Sequence, residues 1–307
     1  MRNRAANLGD RRFQRTLMAL SGSVVSVLGL IAVYLVKLSW PAIREFGLPF
    51  FWSTDWDPVK DHFGAGAFIF GTVTSSFLAL LIAVPLSISV ALFLTELAPR
   101  KIAALVAFMV EMLAAIPSVV YGLWGIFFLA PLLRLHVQPF LSRHFGWVFL
   151  FQGPPYGIGM FAAALILAIM VTPTITAICR EVFRAVPETQ REAALGLGAT
   201  KWETIQLAVV KSSWSGIFGA SILGLGRALG ETMAVTMLIG NRNEISASLF
   251  APGQTMASVI ANEYAEAESS THIAALAYVG LALFIVSFVT NFIARRIVLR
   301  LQGGASR

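Results

Sequence analysis

The chain has 307 residues, of which 57% are hydrophobic and only 13% are charged, and its mean hydropathy is +0.76. Soluble domains carry about 25% charged residues, so this composition excludes an ordinary soluble globular protein and indicates a polytopic membrane protein. The formal net charge is +7, and the single cysteine, Cys179, excludes an intrachain disulfide.

Six segments are apolar and long enough to cross a bilayer, which requires roughly 20 mostly apolar residues. The sequence therefore predicts an all-α polytopic membrane protein with one transmembrane domain, residues 17–301, between short tails at residues 1–16 and 302–307. In chain order, the predicted spans are residues 17–38, 68–95, 102–130, 158–179, 213–240 and 273–294.

The distribution of lysine and arginine predicts the orientation, because cytoplasmic connections are enriched in these residues. With a cytoplasmic N-terminus, sixteen of the 23 basic residues lie in inner segments and six in outer segments. We therefore expect both termini in the cytoplasm, and the longest inner connection is residues 180–212. The positive charge follows this topology, which argues against a nucleic-acid partner and leaves membrane lipid as the surroundings of the chain.

The connection at 180–212 contains two predicted helices. Pro187 favours the first turn of a helix, Gly196 and Gly198 predict its end, and Thr200 with Glu203 predicts a capping box that begins the second helix. We predict a cytoplasmic elbow whose first helix docks in a groove of another protein. A helix lying on the membrane surface is the alternative, although the first helix has few large apolar side chains to bind lipid.

The fifth span contains two charges, Arg227 and Glu231. Each charge at a helix centre costs about 2.5–3.5 kcal/mol on insertion scales, and residues four apart share one helix face and can reach each other. Two interpretations stay open. The pair is either a buried ion pair that fixes helix packing, or a pathway site whose planar guanidinium binds an oxyanion while Glu231 holds Arg227 when no anion is present.

Three further polar residues are weaker pathway candidates. Thr232 follows Glu231 directly in the fifth span. Glu111 lies about three turns into the third span, where it forms a second polar wall of a pathway or pairs with a neighbour. Ser118 follows Pro117, which is expected to kink that span and to mark a gating bend.

No catalytic or cofactor motif is recognisable in the sequence. It contains no G-x-x-x-x-G-K-[ST] phosphate loop, so we expect no ATP to bind this chain. The four histidines lie in outer segments without metal-ligand spacing, and no Ser/His/Asp or Cys/His set is present. We therefore predict a non-enzymatic chain with no cofactor of its own.

Several stretches carry a family resemblance. Glu192, Ala193 and Ala194, followed by Gly196 and Gly198 in EAALGLG, resemble the signature of ABC importer permeases of type I, with a MetI-like fold. The family pattern I-x-L-P further on is replaced here by residues 208–211, which end in a lysine. The stretches WDP, FGAGAFIFGTVTSS, IPSVVYGLWG, GLGRALGETMAV and ANEYAEAE narrow the resemblance to phosphate importer permeases of the C type.

The resemblance implies a function and a set of partners. The five EAALGLG residues above are expected to form a coupling helix that sits in a cleft of an ATPase, and Arg227 with its nearby acid is implicated in transport. The implied assembly, in a bacterial inner membrane, contains a second permease in a heterodimer, two cytoplasmic ATPase copies that bind ATP and Mg, and an external phosphate-binding protein. The alternatives are a secondary anion transporter that needs no ATP, and an ABC permease for another oxyanion such as sulfate or molybdate.

Overall fold

The computed structural model describes the backbone of residues 4–304 and the side chains of residues 13–296. Within these residues the chain is helical apart from connections and one short antiparallel hairpin, in which β1 (Trp56–Asp57) pairs with β2 (His62–Phe63). The helices are α1 (Arg4–Phe46), α2 (Gly66–Leu97), α3 (Arg100–Ala115), α4 (Ser118–Phe145), α5 (Met160–Arg184), α6 (Glu188–Gly196), α7 (Lys201–Val210), α8 (Trp214–Leu229), α9 (Met233–Leu238), α10 (Met256–Glu263) and α11 (Ser270–Gly304).

The described helices confirm the prediction of an all-α, multi-span protein. Five of them, α1, α2, α4, α5 and α11, are long and apolar enough to cross a membrane, and α7 with α8 forms a sixth if this pair, bent by 68°, is one span. The bounds predicted at 68–95 and 158–179 lie within about five residues of those of α2 and α5, whereas α1 and α11 extend well beyond the spans predicted at 17–38 and 273–294. The two predicted tails, residues 1–16 and 302–307, lie mostly outside the described side chains.

Two predicted spans are interrupted. The span predicted at 102–130 breaks at Ile116 and Pro117, which are extended, and α4 then continues to Phe145. Proline lacks a backbone N–H and disfavours a helical conformation of the residue before it, which explains the break. The span predicted at 213–240 also breaks, after Leu229, and resumes as α9.

The principal core lies between α2 and α5. The two helices pack along their length through fully buried small side chains, which allow close approach of two backbones. On α2 these are Ala79, Ala83 and Ala91, and on α5 they include Ala163. α2 also closely approaches the connection that precedes α10, because a Cβ at Gly71 would overlap the carbonyl oxygen of Gln254.

The end of the bundle that the distribution of lysine and arginine predicts to face outward, here called the outer end, is covered by folded connections. Phe50 stacks on Tyr278 of α11 with ring centroids 4.3 Å apart. Trp56 in β1 donates a hydrogen bond from Nε1 to Glu263 Oε2 of α10 at 2.7 Å. By contrast, the inner part of α1, residues 13–31, is exposed throughout. The outer end is therefore ordered by contacts within the chain, whereas the inner part of α1 presents an apolar surface to other surroundings.

Candidate functional site: a broken fifth span and a cytoplasmic elbow

The fifth span is broken beside its two charged residues. α8 ends at Leu229, Gly230 follows it, and α9 begins at Met233. Glu231 therefore does not continue the helix that carries Arg227, and the prediction that the two residues share one face of a continuous helix is wrong. Gly230 has a φ of −95°, so it is not a left-handed helix stop; glycine has a low intrinsic helix propensity, which weakens the helix at this position.

Glu231 is engaged with the backbone of α9 and not with Arg227. Its Oε1 accepts a hydrogen bond from the N–H of Ala234 at 3.3 Å, which satisfies one of the free donors of a helix start. The Thr232 hydroxyl lies 3.4 Å from the carbonyl oxygen of Gly230. The predicted contact between Glu231 and Arg227 is absent from the described residues. The structure therefore does not support the interpretation of the two residues as an ion pair that fixes helix packing.

Arg227 is exposed in the last turn of α8, an otherwise apolar helix. It forms no ion pair with any residue from 13 to 296, and its guanidinium lies within electrostatic reach of Tyr121 on α4. A charge in contact with lipid hydrocarbon is costly. The guanidinium is therefore available to a group that this chain does not supply.

A second break lies next to the first. Pro117 separates α3 from α4, and Ser118 begins α4 as a partly exposed residue. The Tyr121 hydroxyl bridges the gap by donating a hydrogen bond to the carbonyl oxygen of Leu113 at 2.7 Å. α4 packs directly on α9, because a Cβ at Gly122 would overlap the sulfur of a methionine in α9. The fold thus brings together two interrupted helices, which sequence spacing had not indicated.

Glu111 is paired rather than free. Its Oε1 lies 2.9 Å from Arg180 Nη2 of α5, and the arginine side chain is largely buried. Of the two interpretations left open for Glu111, the structure favours pairing with a neighbour. Arg180 also lies 3.4 Å from Glu181. No local pattern predicts this contact between α3 and α5, because Glu111 and Arg180 are 69 positions apart.

The two predicted helices of the elbow are present. α6 follows an extended Pro187, and Gly198 has a φ of +88°, which favours glycine in the turn. The capping box is confirmed. The Thr200 hydroxyl accepts from the Glu203 N–H at 3.3 Å, and Glu203 Oε2 accepts from the Thr200 N–H at 2.7 Å. α7 then meets α8 at the 68° bend, which includes Lys211, the lysine at the end of residues 208–211.

The surface of the elbow is exposed. α6 has no buried residue, and Glu192, Ala193, Gly196 and Gly198 are exposed while Ala194 is half-buried. Sequence reasoning identified the flat alanine surface but missed the larger apolar side chains beside it. These are Leu195, Leu197 and Trp202, which are 52%, 90% and 58% exposed.

A multi-span helical bundle, interrupted beside an arginine that pairs with no acidic residue among residues 13–296, suits the class of transport permeases. Residues 83–303 match the family of binding-protein-dependent transport system inner membrane components. The chain is 47% identical over 299 residues to the phosphate transport system permease protein PstC of Mesorhizobium japonicum, covering 96% of this chain and 91% of that protein. The corresponding protein of Pasteurella multocida is 46% identical over 294 residues, covering 94% and 92%.

PstC 2 of Mycobacterium tuberculosis is 41% identical over 302 residues, covering 96% of this chain and 93% of that protein. The chain therefore belongs to the family of phosphate transport system permease proteins, within the binding-protein-dependent transport components.

Solved structures share the fold at low identity. An inward-facing MetNI methionine ABC transporter is 18% identical with a TM-score of 0.56, covering 76% of this chain and 94% of that chain. A bacterial ABC transporter involved in the import of alginate is 18% identical with a TM-score of 0.54, covering 93% and 99%. These likenesses confirm the predicted ABC importer permease fold.

Proposed function

We propose that this chain is one of two permease subunits of an ATP-driven phosphate importer in a bacterial inner membrane, with both termini in the cytoplasm. A second, different permease completes the pathway. Two copies of a cytoplasmic ATPase bind ATP and Mg, and an external binding protein delivers phosphate. Family membership supports the class of transporter, and the names of the relatives support phosphate as the substrate.

The observation that carries the pathway proposal is the exposed Arg227 beside broken backbone. Irregular backbone at membrane depth is tolerated only where it is buried in protein or lines a water-filled cavity. In this chain Pro117 and Gly230 are both exposed. Another subunit and an aqueous path at this position would account for both breaks and for the charge.

The guanidinium suits a tetrahedral oxyanion. Its planar fork donates two parallel hydrogen bonds to one anion and keeps its charge at any physiological pH. Because Glu231 binds the amide of Ala234, it leaves Arg227 free for the anion. Thr232 is partly exposed at the same break and supplies a hydroxyl to the pathway.

The elbow supports docking of an ATPase. Its exposed alanines and glycines leave room for the wall of a cleft, and Leu197 projects with 90% of its surface exposed. Exposed apolar side chains of this size on a short cytoplasmic helix indicate a protein contact rather than a solvated surface. We assign Glu192, Ala193, Ala194, Gly196 and Gly198 to this contact.

The test combines a cross-link with transport. In a Cys179→Ser background, a cysteine at Leu197 should cross-link to the co-expressed ATPase, whereas a cysteine at Val59, 93% exposed on the outer hairpin, should not. The reconstituted complex should take up phosphate only when ATP is supplied on the ATPase side. Phosphate accumulation by the chain alone without ATP would support the secondary transporter, and preferential uptake of sulfate or molybdate would support a permease for another oxyanion.

A further inference from the structure

One side chain of α6, Arg191, reaches the ends of both α5 and α2. Arg191 is half-buried, whereas Glu192 and Ala193, which follow it, are exposed. Its Nη1 donates to the carbonyl oxygen of Val186 at 2.6 Å, and its Nη2 donates to the carbonyl oxygen of Phe183 at 2.9 Å. The same Nη2 lies 2.9 Å from Glu96 Oε1 in the last turn of α2.

The chemistry of this contact is specific to arginine. Phe183 is in the last turn of α5, and Val186 follows the end of that helix. The last carbonyl groups of a helix lack intrahelical partners and carry a partial negative charge. The Arg191 guanidinium binds one such carbonyl group, that of Phe183, together with the Val186 carbonyl beyond the helix and the Glu96 carboxylate, because its donors are fixed in a planar fork. Arg191 thus joins α6 to α5 and α2 simultaneously.

The contact is protected from solvent. The side chains of Arg191 and Glu96 are only 22% and 12% exposed. By comparison, Arg184 and Glu181, which form another ion pair near this end of α5, are 56% and 64% exposed and lie 3.5 Å apart. An ion pair shielded from water is stronger than an exposed one and is less screened by salt. The two pairs therefore differ in strength although they lie close in the chain.

We infer that Arg191 and Glu96 form the joint through which movement of the docked α6 reaches the transmembrane bundle. α2 and α5 pack tightly along their length, so a displacement of α6 is transmitted to both as one body. The covalent connections of α6 are residues 185–187, which lead to α5, and α7, which meets α8 at the 68° bend. Neither reaches α2, so the ion pair of Arg191 with Glu96 adds the connection to α2 and fixes the orientation of α6 against the end of α5. Arg191 acts as a positioning residue and does not touch the anion. This inference rests on the proposed docking of an ATPase to α6.

The experiment measures phosphate imported per ATP hydrolysed in the full reconstituted complex. With Arg191→Gln or Glu96→Gln, the ATPase should still co-purify and hydrolyse ATP, while the ratio of phosphate to ATP falls by at least about fivefold, the low end of typical coupling between sites. Arg191→Lys should give an intermediate ratio, because one ammonium group cannot reproduce the fork. Arg184→Gln is the matched control and should leave the ratio unchanged.

Three outcomes would overturn the inference. The first is an unchanged ratio in both glutamine variants, and the second is an equal fall of the ratio in the Arg184→Gln control. The third is loss of the ATPase from the purified complex, which would assign Arg191 to the shape of the docking surface instead. If Arg191→Gln does not accumulate in the membrane, the Glu96→Gln variant alone tests the inference. Glutamine has nearly the same shape as glutamate, and Arg191 keeps its hydrogen bonds to the carbonyl groups of Phe183 and Val186 in that variant. Absence of the ATPase from the parent complex would contradict the proposed function itself.

Discussion

Replacing Arg227 by leucine separates a transport role from a structural role, because the two make opposite predictions about stability. Removing one partner of a buried ion pair costs about 3–5 kcal/mol, since the other charge is left buried and unpaired. Arg227 has no such partner among the described residues, and Glu231 keeps its bond to Ala234 in the variant. We therefore expect the free energy of unfolding to change by less than about 1 kcal/mol.

The expected effect on transport is large. A guanidinium that binds an oxyanion through two charge-assisted hydrogen bonds stabilises the bound anion by about 1.5–3 kcal/mol for each bond. The two bonds together therefore contribute about 3 kcal/mol at the least. Since 1.4 kcal/mol corresponds to a factor of ten, uptake should fall by more than about 100-fold. Arg242→Leu is the control, because this arginine is an exposed outer residue 3.6 Å from Glu244 and its loss should change uptake little.

Two measurements decide between the roles of Arg227. The thermal stability of the purified complex reports the structural contribution, and the initial rate of radiolabelled phosphate uptake into ATP-loaded proteoliposomes reports transport. A variant that loses several kcal/mol of stability would show that Arg227 holds the bundle together. A stable variant with a normal uptake rate would refute the reasoning altogether.

Three further predictions concern other elements. Hydrogen bonds from the backbone and the hydroxyl of Thr200 lower the pKa of Glu203. The cap of α7 should therefore be intact above 4.5, the ordinary pKa of glutamate, and should be lost as the pH falls through the lower pKa of Glu203 in the folded chain. Hydrogen exchange of the α7 amides would detect this loss. Exchange that is already fast at neutral pH would contradict the prediction. Gly71→Val should prevent assembly because its Cβ overlaps a backbone carbonyl oxygen, whereas Gly219→Ala has open space and should be tolerated, as membrane levels of the two variants would show. Glu111→Gln should lower the free energy of unfolding by about 0.5–1 kcal/mol, because the ion pair of Glu111 with Arg180 is half exposed. Phosphate uptake should stay within about twofold of the parent. A much larger loss of uptake would indicate that Glu111 lines the pathway.

The spans and the elbow could be predicted because their causes are local or are set by the membrane. The thickness of the bilayer fixes the length of an apolar segment, and α5 begins and ends within about five residues of the predicted span. Pro117 was identified as a kink, and the helix does break there. Thr200 and Glu203 are three residues apart, so their reciprocal bonds follow from spacing alone.

The contacts of the charged residues could not be predicted because they depend on tertiary structure. Arg191 pairs with a residue 95 positions away, and no periodicity in the sequence connects the two. The error at Glu231 has another origin. A spacing of four residues indicates contact only if the helix is continuous, and the break at Gly230 removes that condition.

The regular and the broken helices occupy different parts of the bundle. α2 and α5 contain Pro85 and Pro173 but remain helical through them, and their packed alanines leave little freedom for relative movement. Hinges are a few residues that absorb large changes of φ and ψ. Residues 116–117 and 230–232 are already outside helical geometry, so a change of angle there costs fewer hydrogen bonds than one inside α2 or α5.

A displacement of α6 that is transmitted through Arg191 would move α2 and α5 together as one body, and the two breaks, at residues 116–117 and 230–232, would absorb the resulting change of angle. Arg227 lies one turn from the second of them, so the guanidinium is placed where the helices can rotate relative to each other.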